Sequence, residues 1–219
     1  EPSLRQALLG AMRGFDQAAV ADTVIAVYPN LDGPTRTVAQ AVLTSRASWS
    51  RKLVKAVADL RIDVASVPRE IVRQIRHFED PELRELTERI WSGGGKPASG
   101  EMEKQMARLN SVIPNGAGDP YKGKVLFNGL CANCHKLFNQ GAEIGPDLTA
   151  FKREDLGNML FSIVNPSAEI REGYETFQIE TRDERSLTGF IIEQDPRLVT
   201  LRGLDGQNVT LERKEIAAM

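Results

Sequence analysis

The sequence predicts a mainly α-helical chain with a small β unit at its end, and three observations carry that expectation. Apolar residues recur at helical spacing from the start to about residue 91. Both cysteines fall in one pentapeptide, Cys131-Ala132-Asn133-Cys134-His135, behind a helix start. Beyond Pro166 the pattern changes from helical to alternating, with turn residues between short runs.

The first part reads as successive helices. Leu4, Leu8, Met12 and Phe15 recur at helical spacing, as do Leu53, Val54, Val57 and Leu60. Asp32-Gly33-Pro34 ends one helix and starts the next. Pro68 opens another, with Ile71, Val72, Ile75 and Phe78 on one face. Asp80-Pro81 begins a helix with Leu83, Leu86, Ile90 and Trp91 inward, stopped by Gly93-Gly94-Gly95. Short helix pairs joined by Asp/Pro turns predict α-solenoid-like helical repeats of HEAT type, whose members stack to share a core. His77 sits beside this apolar face and reads as a surface or boundary histidine. Arg51, Lys52, Lys55 and Arg61 read as a solvated basic face.

A linker follows, from the glycine run through Lys96-Pro97-Ala98-Ser99-Gly100. It contains a short helix over 101–110, on which Met102 and Met106 have packing spacing. Pro114-Asn115-Gly116-Ala117-Gly118 makes a second break. The expected domains are therefore a HEAT-like helical region over 1–95, a linker with a short helix over 96–118, a core over 119–168 and a β unit over 169–219.

Asp119-Pro120 starts the helix that leads into the pentapeptide, with Asp as N-cap and Pro at the first helical position. C-x-x-C-H is the attachment sequence for c-type haem. Two thiols three residues apart add to the two porphyrin vinyl groups, and the adjacent histidine reaches the iron as proximal ligand. A redox dithiol would need a thioredoxin-like strand before Cys131, which the sequence does not supply. A zinc site would need a fourth ligand from His77, a carboxylate or water.

A helix over 154–164 places Leu156, Leu160 and Ile163 on one side and ends at Asn165-Pro166. Four strands are expected next: Thr176 to Glu180, Leu187 to Glu193, Leu198 to Arg202 and Val209 to Glu212. Asp183-Glu184, Asp195-Pro196 and Asp205-Gly206 are their turns. These strands predict a four-stranded meander or small barrel.

Ten residues beyond His135 comes Gly145-Pro146-Asp147-Leu148-Thr149. With CANCH, this segment resembles the class I cytochromes c. The resemblance implies that the Pro146 carbonyl accepts the proximal histidine's Nδ1–H and that Leu148 packs on the haem face. Helical repeats, CANCH, GPDLT, a helix ending in Asn-Pro and a β meander together resemble the Pirellula/Verrucomicrobium-type haem-binding domain. That resemblance implies a cytochrome c-like helical domain carrying the β unit as an insertion, often joined to HEAT-like repeats in large exported proteins. In that family a Ser-x-Met-Pro-type segment and a final helix follow the insertion and supply the distal methionine. Here the sequence stops at Met219, which has the right side-chain type but falls short of the family's position, so the expectation is that this chain holds no family-type distal ligand, with Met219 the next candidate. The expectation is that the native chain continues, or that another part of the protein or a second chain covers the site.

The 219 residues carry 28 Lys+Arg against 30 Asp+Glu, a formal net charge of −2. Neither part has a basic stripe for nucleic acid, and no apolar run has membrane-spanning length. The start Glu1-Pro2-Ser3 is not a signal peptide. Covalent haem attachment outside the bacterial cytoplasm implies an exported, periplasmic-type location. The leading expectation is an electron-transfer module with one covalent haem c, paired with a redox partner, a dehydrogenase as donor. The alternatives are a haem enzyme or a peroxide- or gas-binding protein with an open distal site, and a helical scaffold with structural haem.

Overall fold

A computed structural model describes residues 4–91, 99–166 and 170–219. The glycine stop at 93–95 and Lys96, Pro97 and Ala98 of the linker lie outside the described residues. The helices are α1 (Leu4–Ala11), α2 (Ala18–Val27), α3 (Gly33–Leu43), α4 (Ala47–Ala58), α5 (Arg69–Ile75), α6 (Pro81–Trp91), α7 (Ser99–Val112), α8 (Pro120–Leu130) and α9 (Leu156–Val164). The strands are β1 (Phe177–Thr181), β2 (Ser186–Gln194), β3 (Leu198–Gly203), β4 (Asn208–Glu212) and β5 (Ile216–Ala218).

The chain divides into two compact units. One joins Glu1–Gly94 to Thr176–Met219, and the other is Gly95–Glu175. The strands, expected from sequence as an insertion in the central domain, thus belong to the same unit as α1 to α6.

Within the first unit, α1 packs on α3, α2 on both α3 and α4, α4 on α6 and α5 on α6. Val24, Val42, Leu43, Trp49, Leu53, Val54, Ile62, Ile75 and Leu83 belong to one continuous core. The faces of α5 and α6 are those the spacing predicts: Ile71, Val72, Ile75 and Leu83 are buried, with Phe78, Leu86, Ile90 and Trp91 packed against them. A solenoid of repeats is not displayed; the observed architecture is a helical layer beside a sheet.

Four of the expected apolar-face positions fall outside the core. Leu60 is 91% exposed at φ +58° and takes the left-handed turn that ends α4, while Ile62 enters the core in its place. On α1 the buried residues are Leu9 and Gly10, while Leu4 and Leu8, and Phe15 beyond the helix, are exposed. The buried side of α1 meets the β3–β4 turn, which a sequence pattern cannot foresee: a Cβ on Gly10 would lie 1.9 Å from Gln207 Oε1. Gln207 Nε2 donates to Gln6 O at 2.9 Å.

The sheet has five strands among the described residues, in the order β4-β3-β2-β1-β5, all pairs antiparallel. The four predicted runs are present. The fifth strand, β5, lies on the far side of β1, with Thr181 opposite Ile216. A plain four-stranded meander is therefore corrected to a five-stranded half-barrel. Register shifts at Glu180/Thr181 and Ile191/Glu193 bend it. Ile179, Leu187, Val199, Leu201 and Leu211 fill its own small core.

Sheet and helical layer meet through polar contacts. Ser186 N–H donates to Ser45 O at 2.8 Å. Arg13, buried, pairs with Asp205, and Arg46, buried, donates to the Asp183 carbonyl while its guanidinium lies 5.4 Å from the Trp49 ring centroid. On α4 the basic face is neutralised locally: Lys52 meets Asp22 at 2.6 Å, Arg51 meets Asp80 at 3.1 Å and Lys55 meets Glu82 at 2.7 Å. Arg61 is 3.8 Å from Asp59.

Candidate haem-attachment site

In the central unit, α8 delivers the two cysteines. Asp119 caps it, its Oδ1 accepting from Tyr121 N–H at 2.9 Å and Lys122 N–H at 3.1 Å, and Pro120 takes the first position. The helix ends at Cys131, whose N–H reaches Phe127 O at 2.8 Å. A tight turn follows at once, with Cys134 N–H and His135 N–H both donating to Cys131 O, at 3.1 and 2.8 Å. Both thiols and the imidazole therefore leave from one turn. Neither cysteine is in a disulfide.

The chain then folds back over the turn. Ala142 N–H donates to Ala132 O at 2.8 Å, Gly145 N–H to Cys134 O at 2.6 Å and Leu148 N–H to Lys136 O at 2.8 Å. This return brings Pro146 O to 2.9 Å from His135 Nδ1. A carbonyl oxygen only accepts, so the proton sits on Nδ1 and the Nε2 lone pair is left for a metal. The approach depends on glycine: a Cβ on Gly145 would sit 2.8 Å from His135 Cε1. Gly141, at φ +101°, faces His135 O, 2.1 Å from where its Cβ would be. Both glycines escape sequence reasoning, which read Gly-Pro for its proline carbonyl; the constraint arises only once the ring is in place.

Leu148 is half-buried beside this loop. Thr149 frames its end. The Thr149 hydroxyl accepts Phe138 N–H at 2.7 Å, and its own N–H donates to Asp147 Oδ1 at 2.7 Å. The hydrogen bonds from the Thr149 hydroxyl and N–H, with the Lys136 charge, hold the Asp147 carboxyl below its ordinary value. Lys136 pairs with Glu143 at 2.7 Å, and the Glu143 hydrogen bond and charge raise its pKa.

The other sequence candidates lie elsewhere. Met219 ends the chain after β5, in the helical–sheet unit, and is 56% exposed. His77 follows α5 in that same unit and is exposed. Met102 and Met106 are half-buried on α7, which packs against α9. Among the described residues no group of three or more His, Cys, Asp or Glu side chains could hold a metal ion, so a zinc reading has no fourth-ligand geometry behind it.

The apolar surface of the central unit fits a large hydrophobic group. Leu160 is its one fully buried apolar side chain among the described residues. Tyr121, Val125, Leu126, Leu130 and Ile163 are all exposed in the polypeptide alone. So much apolar area in water is unfavourable, at about 25 cal/mol per Å², and a porphyrin beside Cys131 and Cys134 is a partner of the right size and character. The donor set fits as well: two thiols at thioether spacing and an imidazole with Nε2 available.

Residues 121–192 match the family model described as Cytochrome c. The match begins in α8 and runs through α9 into β2, so it crosses from the central unit into the sheet. No curated protein matches the chain. No helix among the described residues is long and apolar enough to cross a membrane. The turn, the proline contact and the family match agree, and residues 121–192 of this chain carry a cytochrome c-like haem-binding domain with covalently attached haem c.

Proposed function

We propose that the chain is a mono-haem electron-transfer module in which Cys131 and Cys134 form the two thioether bonds and His135 is the proximal ligand. The observation that carries this reading is the 2.9 Å contact between His135 Nδ1 and Pro146 O, made by a ring that leaves the same turn as both thiols. When bound, haem c supplies a one-electron ferric/ferrous couple. The protein's own residues do the rest. Pro146 fixes the imidazole tautomer and orientation, and its carbonyl increases the basicity of Nε2. Gly141 and Gly145 allow the loop to close on the ring. Leu148, Leu126 and Leu130 supply apolar cover and keep water from the reacting centre. Met219 is the candidate sixth ligand by side-chain type.

The helical layer is read as HEAT-like scaffold. The support is its alternate packing, α1 on α3, α2 on α4 and α4 on α6, as stacked helical pairs pack. Its role would be to dock a redox partner, a dehydrogenase that delivers electrons. An exported, periplasmic-type location follows from the chemistry of haem attachment.

The test is covalent attachment. Protein matured by a cell competent for haem attachment keeps its haem in acid acetone, at one haem per chain by mass. Cys131→Ser or Cys134→Ser weakens attachment, and His135→Ala changes the spin state of the iron. Met219→Ala converts a low-spin reduced spectrum to high-spin where Met219 is the sixth ligand. Haem extracted freely by acid acetone from the unaltered protein is the result that sinks the reading.

A further inference from the structure

Beyond the turn that carries the thiols and the imidazole, the chain is tied to its returning segment at three points. Pro146 O lies 2.9 Å from His135 Nδ1, Leu148 N–H donates to Lys136 O at 2.8 Å, and Phe138 N–H donates to Thr149 Oγ1 at 2.7 Å. The first two use main-chain carbonyls, which any residue supplies. Of the three, only the last calls on a side chain of the returning segment, so only it depends on which residue stands there.

Phe138 needs that contact. Its φ of +56° lies in the left-handed region, which is unfavourable for a residue with a Cβ. Such a conformation persists only where the surroundings hold it, and a hydrogen bond from its own N–H does so here. Thr149 is fixed in its turn. Its N–H donates to Asp147 Oδ1 at 2.7 Å, closing a turn over Leu148, and its hydroxyl donates to the same carboxyl. Arg153 Nη2 donates to the Leu148 and Thr149 carbonyls at 3.0 and 3.2 Å. The Pro146 carbonyl and the Asp147 nitrogen share one peptide plane. The turn that pins Asp147 therefore also aims the Pro146 oxygen at His135 Nδ1.

We propose that Thr149 is a positioning residue for the proximal ligand: its hydroxyl joins Phe138 N–H to the Asp147 turn and so holds the Pro146 carbonyl on His135 Nδ1. The inference rests on the reading of His135 as the ligand to haem iron. Thr149 does not touch the imidazole and acts through Pro146. Without the hydroxyl, Phe138 and the Asp147 turn part, and the Pro146 oxygen moves off the ring nitrogen. The imidazole then donates less to iron, and the ferric state loses stabilisation relative to the ferrous.

The holoprotein is compared with Thr149→Val, which keeps the shape and loses the hydroxyl, and with Thr149→Ser, which keeps the hydroxyl. The first readout is a redox titration at an electrode, which supplies the one electron that ferric haem takes up. Thr149→Val is expected to lower the ferric-to-ferrous ratio at a fixed potential about threefold, an upward shift of about 30 mV at 59 mV per tenfold. The second readout is solvent exchange of the His135 Nδ1 proton by NMR, expected to quicken roughly tenfold in Thr149→Val as its acceptor moves away. Thr149→Ser is expected to match the unaltered protein in both. In the unaltered holoprotein the Phe138 amide hydrogen is expected to exchange slowly, a measurement that needs no variant and stands even where Thr149→Val fails to fold. Unaltered potential and Nδ1–H exchange in Thr149→Val overturn the proposal. So does free exchange at the Phe138 amide, or a Thr149→Ser protein that shifts as far as Thr149→Val. If the unaltered holoprotein shows no imidazole ligand in its haem NMR spectrum, the reading of His135 has itself failed, an outcome separate from the failure of Thr149 as its positioning residue.

Discussion

A methyl group at Gly145 would lie 2.8 Å from Cε1 and 3.0 Å from Nδ1 of His135, so the ring or the loop has to move. Either movement lengthens the contact between Nδ1 and Pro146 O, now 2.9 Å. A weaker hydrogen bond leaves the imidazole a poorer donor to iron, which favours the ferrous state. Gly145→Ala is therefore expected to shift the midpoint potential upward by about 40 mV, the one-electron equivalent of ~1 kcal/mol. Redox titration of the holoprotein reads this directly, and an unchanged potential means that the contact does not tune the iron. Pro146 was legible in the sequence, because its spacing from CANCH is a motif. The ring contact of Gly145 and the left-handed Phe138 were not, because each depends on where a segment several residues away comes to lie.

At the scale of elements, the sheet is held to the helical layer by groups that titrate. Burial raises the pKa of Asp183, but hydrogen bonds from Thr181 and Arg185 and the charges of Arg185 and Arg46 outweigh it, and the carboxyl ends below its ordinary value. A depressed folded pKa means that the carboxylate's contribution is present above the unfolded value and is lost as pH falls through the folded one. Asp183→Asn should cost about 1 kcal/mol at neutral pH, discounted for the half-exposed side chain. The difference should narrow from about pH 4 downward as both proteins carry a neutral group. Urea melts of the helical–sheet unit's circular dichroism at neutral and acid pH check it; a constant difference at all pH values rules out the ionised Asp183 as its source. The strands themselves were visible as alternation, and all four predicted runs formed. β5 was not, since three residues carry no period; it exists because β1 offers an open edge.

For the whole molecule, the division Glu1–Gly94 with Thr176–Met219 against Gly95–Glu175 makes the haem-bearing unit an insert between two segments of one body. Limited proteolysis between the units tests it. Cuts near 92–98 and 170–175 should release a haem-bearing fragment, while the N-terminal helices and the C-terminal strands remain associated under native conditions. Strands that leave with the haem fragment would restore the grouping expected from sequence, in which residues 169–219 complete the haem domain.

The sequence by itself determined what is local: the CANCH turn behind a capped helix, the Gly-Pro return, the faces of α5 and α6 and the alternation of β1 to β4. Each of these is written in neighbours a few residues apart, through hydrogen bonds and periods that short segments carry alone. Only the tertiary structure decided which side of α1 is buried, that β5 closes on β1, and that the sheet belongs with the first helices. Those choices rest on Arg13 with Asp205, Arg46 with Asp183 and Ser45 with Ser186, pairs separated by well over a hundred residues. No local pattern records such a pairing, because its free energy appears only when the chain has brought both partners out of water together.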